Sequence, residues 1–178
     1  MRHRKPRTLR QIGQPHATSD VLPHPELHQL HRPGGLLRNL PLDAPVEDVV
    51  KLYTSLAKLE PSNVDALAGA TYFRLLGRLE MGKARADAAD LLEKQPASIP
   101  LRAIAALALL RGGDKAGAAA ILDRPLPSEV DWSTEPDRWK AVVIAVLEAN
   151  GRDASRFRSI LKKENLRREE FSLLTGSN

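Results

Sequence analysis

The stretch LRAIAALALLRGGDKAGAAAILDR, residues 101–124, holds two apolar runs split by Gly112-Gly113-Asp114. A glycine enters the left-handed backbone region without a Cβ clash, so the pair reads as a helix stop. Asp114 follows, and a carboxylate there accepts the first free amides of a new helix. The reading is a helical hairpin, with one helix from a Ser98 cap to Arg111 and a second from Asp114 to Asp123. Whether it stands alone or repeats decides the class of function.

Outward from the hairpin the same punctuation recurs. Upstream, VEDVVKLYTSLAKLE (46–60) places Val46, Val49, Val50, Tyr53, Leu56 and Ala57 on one helical face before Pro61. Helices are predicted over Asn63–Leu76 and Met81–Lys94, the latter with a stripe of Met81, Ala84, Ala88, Leu91 and Leu92 before Pro96. Downstream, 125–137 reads as a loop. Trp139, Val142, Val143, Val146 and Leu147 mark a helix ended by Asn150-Gly151, and Asp153–Lys163 and Arg167–Leu174 are predicted to follow. No segment alternates as a strand does, so the chain reads as all-α.

Residues 1–44 differ in kind. Six prolines and all five histidines of the chain fall there. Each proline removes an amide donor and crowds the preceding turn, and few residues could build a buried face to offset the entropy of ordering. The expectation is a disordered Pro/His/Arg-rich arm over 1–44, with at most a turn of helix at Glu26–Leu30, and a helical domain over 45–178.

Bulk properties narrow the chemistry. The 178 residues suffice for one domain and a tail. Aromatics are only 4%, so the core is packed mainly from aliphatic side chains. With no cysteine there is no disulfide, thiolate metal site or thiol nucleophile. The net charge of +5 sits at the ends: Lys and Arg exceed Asp and Glu by four in 1–45 and by three in 152–178, whereas 46–151 has a deficit of two. No stretch approaches the roughly 18 apolar residues of a membrane span. The start lacks the apolar middle of a secretory signal. Its Arg-rich, acid-free run is faintly like an organellar transit peptide, but the prolines and missing apolar face favour a cytoplasmic protein.

Three helix–glycine–helix units align. After Gly82, Gly113 and Gly151 a second helix runs through small residues to an aliphatic doublet, Leu91-Leu92, Ile121-Leu122 or Ile160-Leu161. LAKLEPSNVDALAGA (56–70) and RAIAALALLRGGDKAGAAAILD (102–123) resemble the tetratricopeptide repeat family, the first at its inter-repeat junction and the second within a repeat. Pro61 and Pro96 lie 35 apart, against a family period of about 34. Ala118 stands at the family's close helix crossing, and Trp139 where it often places an aromatic. The resemblance covers about 46–163. The usual Gly-Tyr pair of the first helix is missing, and the 77–82 turn and the 125–137 loop stretch the spacing.

The resemblance implies helical hairpins stacked as a short right-handed superhelix, about three pairs with flanking helices. It implies a protein–protein interaction scaffold that holds a peptide or partner helix in a concave groove. Carried over position by position, the groove candidates are Tyr72 and Leu75, then Leu107 and Arg111, then Lys140, Ile144 and Glu148. Lys140 and Glu148 read as surface charges flanking Ile144. The apolar candidates read equally well as core. Asn is absent from the interior of these helices, so the family's carboxylate clamp is not expected. The helix at 46–60 lacks a first-helix partner, and packing onto 63–76 is favoured over packing against another chain.

Other chemistry reads as bland. His24, His28 and His31 share a face at i, i+4 and i+7, but Pro23, Pro25 and Pro33 interrupt any helix there, so a solvated arm is the better reading than a metal site. RPGG and LLRGGDKAG lack the Gly-Lys-Ser/Thr ending of a phosphate loop. With every histidine in the arm, a folded Ser-His-Asp triad is not expected. Asp87, Asp90 and Glu93 read as a solvent face. The expectation is a non-enzyme with no catalytic residue, cofactor or metal. The alternative function is a nucleic-acid-associated factor using Arg2, Arg4, Lys5, Arg7 and Arg10 with the basic C-terminal helices. No aromatic is interleaved to stack bases.

Overall fold

The computed structural model describes residues 41–125 and 129–176, and every regular element among them is helical. They are α1 (Val46–Leu59), α2 (Val64–Gly77), α3 (Met81–Lys94), α4 (Ile99–Arg111), α5 (Lys115–Leu122), α6 (Asp137–Ala149), α7 (Ser155–Ile160), a 3-10 turn at Lys163–Asn165, and α8 (Arg168–Thr175). Residues 1–40, with His24, His28, His31, the cations of Met1–Arg10 and the turn expected at Glu26–Leu30, lie outside the described residues.

Local chemistry explains most boundaries. The Asn63 side chain accepts the Ala66 amide at 3.0 Å to open α2, and Asp114 accepts the Gly117 amide at 2.8 Å to open α5. Gly113, at φ +87°, makes the left-handed step between α4 and α5. Ser98 occupies the cap position of α4 without a side-chain bond. Pro100, in the first turn, removes one of the two amides a cap residue normally serves. The α2–α3 turn is less ordinary, because Arg78 and Glu80 both take positive φ. Arg74, buried behind it, donates from Nε to Glu80 at 2.7 Å and from Nη2 to Thr54 Oγ1 at 2.9 Å. That pairing holds a backbone geometry a β-carbon disfavours.

Packing follows chain order. α1 lies on α2, α3 on α2 and α4, and α5 on α4, while α2, α4 and α6 also pack in succession. The orphan helix therefore finds its partner within the chain. At Gly69 an added Cβ would stand 2.6 Å from the Tyr53 ring, and at Gly77 2.7 Å from Val46, so these glycines admit α1. Leu52 and Leu59 remain exposed on the outer side of α1. Tyr53, Phe73, Tyr72 and Trp139 form a chain of ring contacts at 5.8, 5.2 and 4.9 Å that joins α1, α2 and α6. One core runs from α1 into α6 and includes Ala84, Ala88, Leu91, Leu107 and the wholly buried Ala118. A second gathers Ala141, Ile144, Leu147, Ala154, Leu166 and Leu174 around α6.

Two expectations change. Residues 41–44, read as part of a disordered arm, belong to the folded unit. The buried Arg167 donates from Nη1 to the Pro41 carbonyl at 2.8 Å and from Nη2 to that of Ala44, and its guanidinium lies 5.4 Å from the Phe73 ring. The last hairpin is also truncated: α7 has six residues, and Ile160 and Leu161 are only half-buried. Asp137 Oδ1 accepts the Lys162 amide at 3.1 Å, an amide that a longer helix would spend on its own backbone, so the chain leaves helical geometry after Ile160. The interior Arg102 ties the exit of α5 to α4, donating to the carbonyls of Pro96, Arg124 and Pro125 at 2.6, 2.5 and 2.9 Å.

Candidate interaction surface

On the face where a groove was expected, α8 covers part of α6 and α2. This helix packs along α6 and reaches α2. Its register is set at its start, where the Arg167 amide donates to Glu170 Oε2 at 2.9 Å. The other oxygen, Oε1, accepts the Tyr72 hydroxyl at 3.0 Å. Leu174 joins Ile144 in the second core.

Five of the seven groove candidates are therefore interior. Tyr72, Leu75, Leu107 and Ile144 have 1% or less of their surface exposed. Lys140, read as a surface charge, is 3% exposed and donates to Asp137 at 3.1 Å one helical turn away. The physical reason is common to them. α2, α4 and α6 are enclosed by neighbours on nearly every side, so the positions that would face a groove face α8 or an adjacent helix instead.

Arg111 and Glu148 behave otherwise, and the structure brings them together. Both line a depression of about 610 Å³ where the C-terminal ends of α2, α4 and α6 meet α8. Its apolar part includes Met81, Leu110, Ala145 and Leu173; its charged part is Arg78, Arg85, Arg111, Lys115 and Glu148. Glu148 is held by Arg158 through two bonds of 2.6 and 2.8 Å. Arg111 is half-buried, and burial, with Arg78 nearby, moves its guanidinium below the usual range. A second, more apolar trough of about 510 Å³ lies between α3, α4 and α5 over Ala88, Leu92, Ala105, Leu109 and Ile121, and Arg85 borders both.

The pair Glu170 and Tyr72 was not anticipated. The only sequence signal was a glutamate three residues after Arg167, the spacing of a capping box. Burial pushes the Glu170 carboxyl up, against the Arg167 amide, the Arg138 charge and the Tyr72 hydroxyl, which hold it down; burial wins. The folded state thus binds the proton more tightly than the unfolded chain. Stability from this group falls as pH rises from the ordinary 4.5 through the folded value. In Glu170→Gln, the amide oxygen can accept the Arg167 amide while its nitrogen donates to the Tyr72 oxygen. Glu170→Gln is therefore expected to melt above the native protein at neutral pH, with the gap closing as pH approaches 4.5. Melting curves for both proteins across that range check it, and a gap that widens on acidification contradicts it.

Compared with family models, with curated proteins and with solved structures, the chain matches none of them.

Proposed function

We propose that this chain is a protein–protein interaction scaffold of the tetratricopeptide kind, a cytoplasmic binding module and not an enzyme, that holds a peptide or partner helix. The observation that carries the reading is the depression beside α8. It is broad, floored by aliphatic side chains and rimmed by charge, and residues of five helices and their turns contribute to it. A face that already seats α8 has the width and apolar character to seat another helix.

The nucleic-acid alternative draws less support from the C-terminal region. There Arg152 pairs with Asp123 at 2.9 Å, Arg158 with Glu148, and Arg167 is interior. Those charges are committed within the fold and add little to a phosphate-binding stripe.

The test uses the tagged full chain, a partner recovered with it from native extract, and two changes. Ala149→Trp fills the depression from its α6 wall and is expected to abolish the interaction. Deletion of residues 1–40 is expected to leave it intact. Loss on deletion, with Ala149→Trp silent, would transfer the function to the basic arm.

A further inference from the structure

We propose that the recess between α4, α6 and α7 is a second docking site, which takes a large apolar side chain of a partner peptide whose neighbouring Asp or Glu meets Arg156. It shares no residue with the depression beside α8 and goes beyond the reading given for that depression.

Shape is the first argument. The recess holds about 330 Å³ over a floor of Ile99, Ala103, Leu122, Val143 and Leu147. One wall is a pair of aromatic rings, Trp132 from the loop ahead of α6 and Phe157 from α7, packed edge to face at 5.2 Å. Tyr53, Tyr72, Phe73 and Trp139 are each 5% exposed or less and fill the core, whereas Trp132 and Phe157 stay half-buried. Rings so placed offer an incoming side chain a large, rigid apolar contact. The places where the chain departs from regular hairpins build this wall. Asp131 fixes the turn that carries Trp132, accepting the Ser133 amide at 2.9 Å and its hydroxyl at 2.7 Å. The volume lies at the low end of the range of about 300–1,000 Å³ for ligand pockets, so it suits one side chain rather than a whole cofactor.

Charge is the second argument, and it selects the neighbour of that side chain. The charged lining residues are Arg102, Asp123, Arg152, Asp153 and Arg156. Arg102 serves three backbone carbonyls, and Arg152 pairs with Asp123. Asp153 accepts the Ser155 amide and hydroxyl, both at 2.9 Å. Arg156 is exposed, and among the described residues its guanidinium makes no hydrogen bond, ion pair or ring contact. An unpaired cation at the mouth of an apolar recess matches a carboxylate one or two residues from the inserted side chain. The exposed Asp123 and Asp153 at the same mouth oppose a nucleic acid, whose backbone carries a negative charge at every nucleotide.

The experiment is a random-peptide display selection on the immobilised full chain, after depletion of the library on the Arg156→Glu chain. Depletion removes peptides that bind elsewhere, the depression beside α8 included. Enriched clones are expected to carry Phe, Trp, Leu or Met beside Asp or Glu. A synthetic peptide copied from one of them is then followed by fluorescence anisotropy. Arg156→Glu should weaken it about tenfold, Arg156→Gln less, and the native affinity should fall as salt rises. Trp132→Ala should cost about tenfold or more, and Trp132→Phe, which keeps a ring, much less. Lys162→Glu, a charge reversal at an exposed position away from the recess, and Ala149→Trp should both leave affinity unchanged. Circular dichroism confirms that each variant is folded, and Arg156→Glu, which removes no contact within the fold, keeps the test valid should Trp132→Ala unfold. No enrichment, enriched peptides without an acidic residue, or acidic peptides indifferent to Arg156→Glu and Trp132→Ala overturn the proposal. Peptides lost in Ala149→Trp overturn it in favour of the depression, so the scaffold reading survives its failure. A short oligothymidylate that displaces the peptides, and is itself weakened by Arg156→Glu, gives the recess to nucleic acid.

Discussion

Replacing Arg167 with methionine is expected to cost about 3–6 kcal/mol of folding stability, from two charge-assisted hydrogen bonds at about 1.5–3 kcal/mol each. The guanidinium, just ahead of α8, reaches the carbonyls of Pro41 and Ala44 and also lies over Phe73. Methionine keeps the apolar packing but takes the guanidinium from both carbonyls, leaving that of Pro41 with the Ala44 amide at 3.2 Å, so the loss isolates the polar contribution. Arg167→Lys should fall between, because an ammonium serves one carbonyl where the planar fork serves two. Denaturant midpoints measure all three proteins. Hydrogen exchange should locate the loosening at residues 41–50 and in α8 together. An unchanged midpoint in Arg167→Met would mean that the lead-in to α1 is not anchored.

Lys140→Glu is expected to be comparably damaging, about 3–5 kcal/mol, because it replaces a buried pair with two buried carboxylates. Asp137 Oδ1 accepts Lys140 and the Lys162 amide, both at 3.1 Å, and Oδ2 accepts Asn165 at 2.7 Å. A glutamate at 140 must take a proton or drive the junction of α6 and the 3-10 turn open. Lys140→Met should cost less, since Asp137 keeps its other two donors. Acid titration adds a signature. Burial pushes the Asp137 carboxyl up, but the bonds from Asn165, Lys162 and Lys140 outweigh it and hold the group below its ordinary 3.8. A depressed folded value contributes stability that is present above 3.8 and is lost as pH falls through the lower folded value. Without the Lys140 ammonium the folded value moves up toward 3.8, so that loss should be smaller and should end at higher pH. Thermal melts of native and Lys140→Met protein from neutral pH downward test this, and parallel curves contradict it.

Lys140 also marks where sequence reading failed. Its helix, DRWKAVVIAVLEA, is buried at every position from Trp139 to Leu147. Helices enclosed on all sides carry little periodicity, so nothing local says which side faces solvent. The same holds for α2, buried from Ala68 to Leu76, and α4, buried from Leu101 to Ala108. Where punctuation governs, reading succeeded in most places: Pro96 bounds α3 at Lys94 and Asp114 caps as expected, whereas Ser98 makes no cap bond and the loop read over 125–137 gives way to α6 one residue early, at Asp137. What escaped depends on distant partners. Glu170 finds Tyr72 across 98 residues, and Asp137 cuts α7 short through the Lys162 amide. Of the charged candidates, Arg111 is half-buried and Glu148 exposed, both in the last turn of their helices. That they share one depression was not legible, because α8 had no foreseeable address.

The Arg167 anchor also bears on how the protein comes apart. In an open row of hairpins each unit touches only its neighbours, so an end can fray while the middle persists. Here a side chain just ahead of α8 grips the backbone leading into α1, and Glu170 grips Tyr72 in α2. Neither end can peel without releasing the other. The contacts tie α8 to α1 and α2, so a single cooperative melting event is expected in place of stepwise fraying.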